Sequence, residues 1–105
     1  VRRGEIWFAD VGRGGDRPVL VLTRDPVADR IDAVVVAHIT TTIRGLTSEL
    51  RLGVDDGVTR DCVVSFDNLH TVPRSAFRRR ITSLRPSRLD EVCDRLADAL
   101  GCGAR

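Results

Sequence analysis

The chain has 105 residues, 42% of them apolar and 30% charged, with a formal net charge of +2. That length holds one ordinary domain, read as residues 1–105, and leaves no room for a second core. The balance excludes a disordered tail and a membrane span. Every basic side chain is arginine, so neither a Walker phosphate loop nor a Schiff-base lysine is available. Tyrosine is absent, and Trp7, Phe8, Phe66 and Phe77 are the only aromatic residues, which disfavours proline-peptide grooves and base-stacking sheets that need several exposed rings. Residues Val1 to Phe8 carry Arg2, Arg3 and Glu5 and no apolar stretch of signal-peptide length, so a cytoplasmic location is expected. A domain this small gains stability by pairing with a second copy, and a homodimer is expected.

The three cysteines, Cys62, Cys93 and Cys102, form no CxxC pair. With His38 and His70 they lack the closely spaced ligand pairs of zinc sites. No metal or other cofactor is expected, and the thiols read as reduced and partly buried.

In chain order, Gly4 to Asp10 reads as a short strand, broken by Gly12, Gly14 and Gly15. Pro18 to Thr23 is a nearly continuous β-branched and apolar run, too short for a helix and suited to a strand covered on both faces. Ala33 to Thr40 is a third strand of the same type, with a polar end at Thr40, Thr41 and Thr42. After Gly45, Ser48 to Leu52 alternates as a half-exposed strand does. Cys62 to Phe66 and Leu69 to Val72 give two further short strands, separated by Asp67-Asn68 and ended by Pro73.

The period then changes. Leu89, Val92, Cys93, Leu96, Ala97 and Leu100 fall on one face of a helix, with a start like a capping box at Ser87 and Asp90 and a stop at Gly101. Short strands followed by one C-terminal helix predict a mainly β fold, a small and strongly bent β-barrel closed by that helix. Between Val72 and Leu89 lie six arginines and no acid, a footprint for phosphate backbones or, equally, for pairing with acids on the helix or at an interface.

Taken in order, Arg3 to Trp7, Arg17 to Leu22, Val36 to Thr42, Asp61 to Val64 and Asp67 to Thr71 resemble segments of the MazF/PemK toxins, the RNA-cleaving halves of bacterial toxin–antitoxin pairs. Arg3-Gly4-Glu5-Ile6-Trp7 is similar to the family's opening strand, and Arg17-Pro18-Val19-Leu20-Val21-Leu22 to its Arg-Pro-hydrophobic second strand. Val36 to Thr42 resembles the strand ending in Ile-Thr or Ile-Ser. Asp61-Cys62-Val63-Val64 and Asp67-Asn68-Leu69-His70-Thr71 resemble the later Asp-Ser-Val-Val and Asp/Glu-Gln-Ile-Arg-Thr segments, with Asn68 and His70 standing where Gln and Arg are usual.

The resemblance implies an SH3-like (CcdB/PemK-like) β-barrel with a C-terminal helix, assembled as a homodimer. It further implies a metal-independent, sequence-selective endoribonuclease of single-stranded mRNA, held off by a cognate antitoxin with an acidic, partly disordered tail. The family's catalytic arginine falls on Arg17 and its catalytic Thr/Ser on Thr40. In metal-free cleavage the ribose 2′-OH attacks the adjacent phosphorus, leaving a 2′,3′-cyclic phosphate and a 5′-OH. A guanidinium fork holds two phosphate oxygens and a hydroxyl adds one directed hydrogen bond, which offsets the charge that grows on them.

RNA contacts are expected from Arg13, from the backbone N–H groups of Gly14 and Gly15, and from His38, which shares a strand face with Thr40. Thr41, Thr42, Arg44, Asn68 and His70 complete that set. The competing expectation is a non-catalytic toxin on the same barrel, like the gyrase poison CcdB, acting by binding a protein.

Overall fold

The computed structural model describes residues 1–12, 14–25 and 30–102. It contains β1 (Glu5–Asp10), β2 (Asp16–Val21), β3 (Ala33–Thr40), β4 (Glu49–Leu52), β5 (Cys62–Pro73), β6 (Phe77–Ser83) and α1 (Pro86–Leu100). The strands form one antiparallel sheet in the order β4-β5-β3-β2-β1-β6. Among the described residues no helix is long and apolar enough to cross a membrane.

The apolar runs in β2 and β3 are covered on both faces, as their composition predicts. Leu20, Ala37 and Ile39 pack inward with Ile6, Leu50, Leu52, Val64 and Phe66, against Val92 of the helix. Val19, Val21, Val34 and Val36 form the opposite face with Val72 and Ala76, roofed in part by Trp7 and Phe77, whose rings meet edge to face at 5.8 Å. The sheet therefore curls around one core while the return of the chain through Arg74–Ala76 into β6 covers the other.

Two strand assignments differ from the sequence reading. Cys62–Phe66 and Leu69–Val72 are not separate strands but parts of the single β5, because Asp67-Asn68 makes a bulge instead of a turn. The β3 ladder passes from Ala37↔Leu69 to His38↔Ser65, leaving Phe66, Asp67 and Asn68 without a rung. The Phe66 N–H donates to the Ser48 carbonyl at 3.0 Å, the Ser48 hydroxyl to Asp67 at 2.5 Å and the Asn68 amide to the Ser65 hydroxyl at 3.2 Å. Those bonds satisfy the extra residues and let the strand continue. The strand that sequence reasoning missed is β6, where three consecutive arginines hide the apolar signal; an edge strand tolerates such charge.

The helix also starts differently. It begins at Pro86 with Arg85 as N-cap and no side-chain cap, so Ser87 and Asp90 do not form a capping box. Proline at the first position lacks the N–H that a cap would satisfy and already holds the helical φ. Gly101 ends the helix in the left-handed region as expected, at φ 71°. Val92 is buried with Leu89, Leu96 and Ala99 half-buried beside it, while the predicted Cys93 and Leu100 are exposed.

Residues 53–60 form a strap that carries the chain from β4 to β5 past the far edge strand. Gly57, at φ +92°, lies so close to β6 that a Cβ there would sit 2.9 Å from Cβ of Thr82. Val58 of the strap and Ile81 of β6 pack against the same core between the two edges of the sheet, which stays a curled half-barrel and not the closed barrel expected from the sequence. Asp56 ties the strap to the helix, accepting from the Gly53 N–H at 3.0 Å and from Arg88 Nε at 3.0 Å.

Candidate active site

The β2–β3 ladder pairs Val21↔Val36, Leu20↔Ala37 and Val19↔His38. Continued for two more residues, that register puts Arg17 opposite Thr40, at the mouth of the two strands. Both residues line one cleft of about 540 Å³, together with His38, Thr41, Arg60 and Arg79. Arg17 is exposed and Thr40 half-buried. The Thr40 hydroxyl oxygen accepts the Thr42 N–H at 3.1 Å, which turns the chain out of β3 and leaves the hydroxyl proton free to be donated elsewhere.

His38 and Thr40 also form the wall between this cleft and a second one of about 380 Å³. Thr42, Arg44, Asn68 and His70 line the second cleft, with Glu49, Ser65 and Asp67. The two imidazoles meet edge to face there, 5.2 Å apart. Of the expected contact residues, the fold thus brings Arg17, His38, Thr40, Thr41, Thr42, Arg44, Asn68 and His70 to two adjoining clefts. Gly14 and Gly15 are exposed in the β1–β2 turn and line neither. Arg13 lies outside the described residues.

Sequence reasoning missed Glu49. Its buried carboxylate accepts the backbone N–H groups of Arg44, Gly45 and Leu46 at 3.2, 2.9 and 3.3 Å. This one side chain shapes the loop that follows Thr40, and the only trace in the sequence is a carboxylate a few residues after Gly45.

The arginine block divides by strand alternation. Arg78 lies 3.8 Å from Asp10 and 3.7 Å from Asp16, and Arg80 lies 3.2 Å from Glu5. Arg79, between them, points to the opposite face and stacks over the Phe8 ring at 4.9 Å in the cleft of Arg17 and Thr40. Arg85 and Arg88 pair with Asp56, and among these ion pairs only Arg88–Glu91 uses an acid of the helix. The cleft holding Arg17, Arg60 and Arg79 has no acidic lining residue, so it is the more anion-seeking of the two.

Cys62 also lines this cleft, and burial first, then nearby Asp56 and Asp61, push its thiol pKa up, which makes it a poor nucleophile. Among the described residues no group of three or more His, Cys, Asp or Glu side chains is arranged to hold a metal ion.

The model of the family described as "PemK-like, MazF-like toxin of type II toxin-antitoxin system" matches residues 2–100. The chain belongs to the PemK/MazF toxin family. This MazF-like chain is 65% identical over 103 residues to the probable endoribonuclease MazF2 of Mycobacterium tuberculosis, covering 97% of this chain and all of that one. Its fold is similar to that of the Mycobacterium tuberculosis toxin MazF-mt6, with a TM-score of 0.86 at 34% identity over 95% of this chain and 99% of that one. It is also similar to a mycobacterial endoribonuclease solved in complex with its cognate antitoxin, with a TM-score of 0.89 at 25% identity over 100% of this chain and 99% of that one. Relatives named as endoribonucleases do not favour the non-catalytic, CcdB-like expectation.

Proposed function

We propose that this MazF-like toxin is an endoribonuclease that cuts single-stranded mRNA, with Arg17 and Thr40 as its catalytic residues. The observation that carries this reading is their convergence from two strands onto one acid-free cleft. The attack of the 2′-oxygen on phosphorus breaks the bond to the 5′-oxygen. One proton leaves the 2′-OH and one is gained by the departing 5′-oxygen. Charge rises on the non-bridging oxygens meanwhile, and the Arg17 guanidinium and Thr40 hydroxyl are positioned to hold those oxygens. His38, on the wall between the two clefts, lies nearest to Thr40 along the strand among groups able to exchange a proton near neutrality.

Flanking nucleotides extend along Thr41, Thr42, Arg44, Asn68 and His70. The protein acts in the cytoplasm as one domain over residues 1–105, paired as a homodimer. It is restrained by a cognate antitoxin whose acidic, partly disordered tail suits the arginine-lined face. The reaction needs no metal, because the guanidinium and hydroxyl supply the charge compensation a cation would.

Purified protein incubated with single-stranded RNA in EDTA tests the reading. The expected products carry 2′,3′-cyclic phosphate and 5′-hydroxyl ends. Intact RNA across varied sequences, or 3′-hydroxyl products, overturns it.

A further inference from the structure

Metal-free cleavage requires that the departing 5′-oxygen gain a proton, and neither residue of the Arg17–Thr40 rung is a good source. A guanidinium does not give up its proton near neutrality, and a threonine hydroxyl is a far weaker acid than an imidazolium. Among the other described residues of the two clefts, Glu49 and Asp67 use their carboxylates to accept hydrogen bonds, from three backbone N–H groups and from the Ser48 hydroxyl. Cys62 is buried in the core with its thiol pKa pushed up. The imidazoles of His38 and His70 remain as groups that exchange a proton near neutrality.

The fold separates these two. Strand alternation and the β2–β3 register put His38 on the face of the sheet that Arg17 and Thr40 share, two residues and about 7 Å along β3 from Thr40. His38 is half-buried and lines both clefts, whereas His70 lines only the second. His70 meets His38 edge to face at 5.2 Å from β5, on the side of β3 opposite to Arg17 in β2. The charged and titratable groups around His38 are thus Arg17 on one side and Arg44, Glu49, Asp67 and His70 on the other. A bound diester offsets Arg17, and the two carboxylates then attract a cation at His38.

We propose that His38 is a catalytic residue, the general acid that protonates the departing 5′-oxygen; this rests on the RNA-cleaving reading of the same site. As the 2′-oxygen bonds to phosphorus and the bond to the 5′-oxygen breaks, the His38 imidazolium passes its ring proton to that oxygen. The 2′-OH proton goes to solvent water, and solvent returns one to His38, so the cycle consumes no net proton.

The test changes the leaving atom. One RNA oligonucleotide carries the ordinary 5′-oxygen at a mapped cut, and a second carries sulfur in its place. A thiolate departs near neutral pH without being protonated, which removes the need for an acid. Single-turnover rates on both substrates are compared for wild type, His38→Gln, His38→Asn and His70→Gln. Both His38 variants are expected to lose about a hundredfold or more on oxygen and to stay within about threefold of wild type on sulfur. The readout is a ratio between two substrates in one protein sample, so a variant that folds only in part still reports it.

Equal losses on oxygen and sulfur overturn the assignment, because a structural role, or a role in deprotonating the 2′-OH, does not depend on the leaving atom. A His38 variant that keeps the wild-type rate on oxygen overturns it, as does a loss that sulfur erases in His70→Gln and not in the His38 variants. Wild type that cuts neither substrate overturns the RNA-cleaving reading and the role of His38 with it. Wild type that cuts both, beside variants with one of the contrary patterns, overturns the role of His38 alone.

Discussion

Arg17 is exposed at the start of β2, so the catalytic role proposed for it predicts that its loss falls on catalysis and not on folding. Arg17→Ala is expected to remove about 3–5 kcal/mol of transition-state stabilisation, a hundred- to a few-thousand-fold in rate. Single-turnover cleavage of an RNA oligonucleotide measures it, with an unchanged melting curve as the control; a rate within threefold of wild type rejects the role. Glu5 is the opposite case, a carboxylate spent on structure. Burial raises its pKa, but the Trp7 indole N–H at 3.1 Å, the Arg2 backbone N–H at 2.7 Å and Arg80 at 3.2 Å outweigh that and hold it below the ordinary 4.5. A depressed folded-state pKa stabilises the fold fully above the unfolded value and loses that contribution as pH falls through the folded one. Glu5→Gln is therefore expected to lower the urea midpoint at neutral pH, with the difference from wild type shrinking as the pH drops well below 4.5. A gap that stays constant down to acid unfolding contradicts the assignment.

At the scale of elements, the strap of residues 53–60 links three parts of the molecule. Its Asp56 is held by Arg88 and Arg85, its Gly57 passes against Thr82, and its Val58 and Arg60 complete the cleft of Arg17. Gly57→Ala meets two obstacles, a left-handed backbone and the Thr82 side chain, and is expected to cost about 1–3 kcal/mol in urea unfolding. In a Thr82→Gly background the collision is relieved and only the backbone part of that cost should remain. Equal penalties in both backgrounds show that the strap does not seat on β6 as described.

For the whole molecule, a net charge of +2 gives little long-range attraction to RNA, so binding depends on where the arginines are placed. Alternation and pairing neutralise Arg78, Arg80, Arg85 and Arg88 against acids, and the cleft concentrates Arg17, Arg60 and Arg79. If those three each neutralise one phosphate, the logarithm of affinity should fall against the logarithm of salt with a slope of about −2, from about −0.7 per phosphate on a single strand. Arg60→Ala should flatten that slope by about 0.7 in anisotropy titrations. An unchanged slope removes Arg60 from the RNA path.

Local chemistry was enough to read β1 to β4 within a few residues and the helix through its C-terminal stop, because continuous β-branched runs and a 3.6-residue period are properties of neighbouring residues. The family segments singled out Arg17 and Thr40, and the fold brings both to one cleft. Asp67-Asn68 looked like a turn because nothing local reveals that Ser48 and Ser65 wait across the sheet to satisfy a bulge. The strand β6 looked like a loop of arginines because the acids and the ring that receive them, Asp10, Asp16, Glu5 and Phe8, lie about seventy residues earlier. Glu49 as the anchor of the Thr40 loop, and Arg60 and Arg79 as walls of the cleft, belong to the same class. The chain by itself determined most of the segments that extend or coil and the side chains proposed to carry the chemistry. Which of seventeen arginines face the cleft, and which are consumed by carboxylates, was decided only when curling brought distant strands together, since charge pairing depends on separation in space and not along the chain.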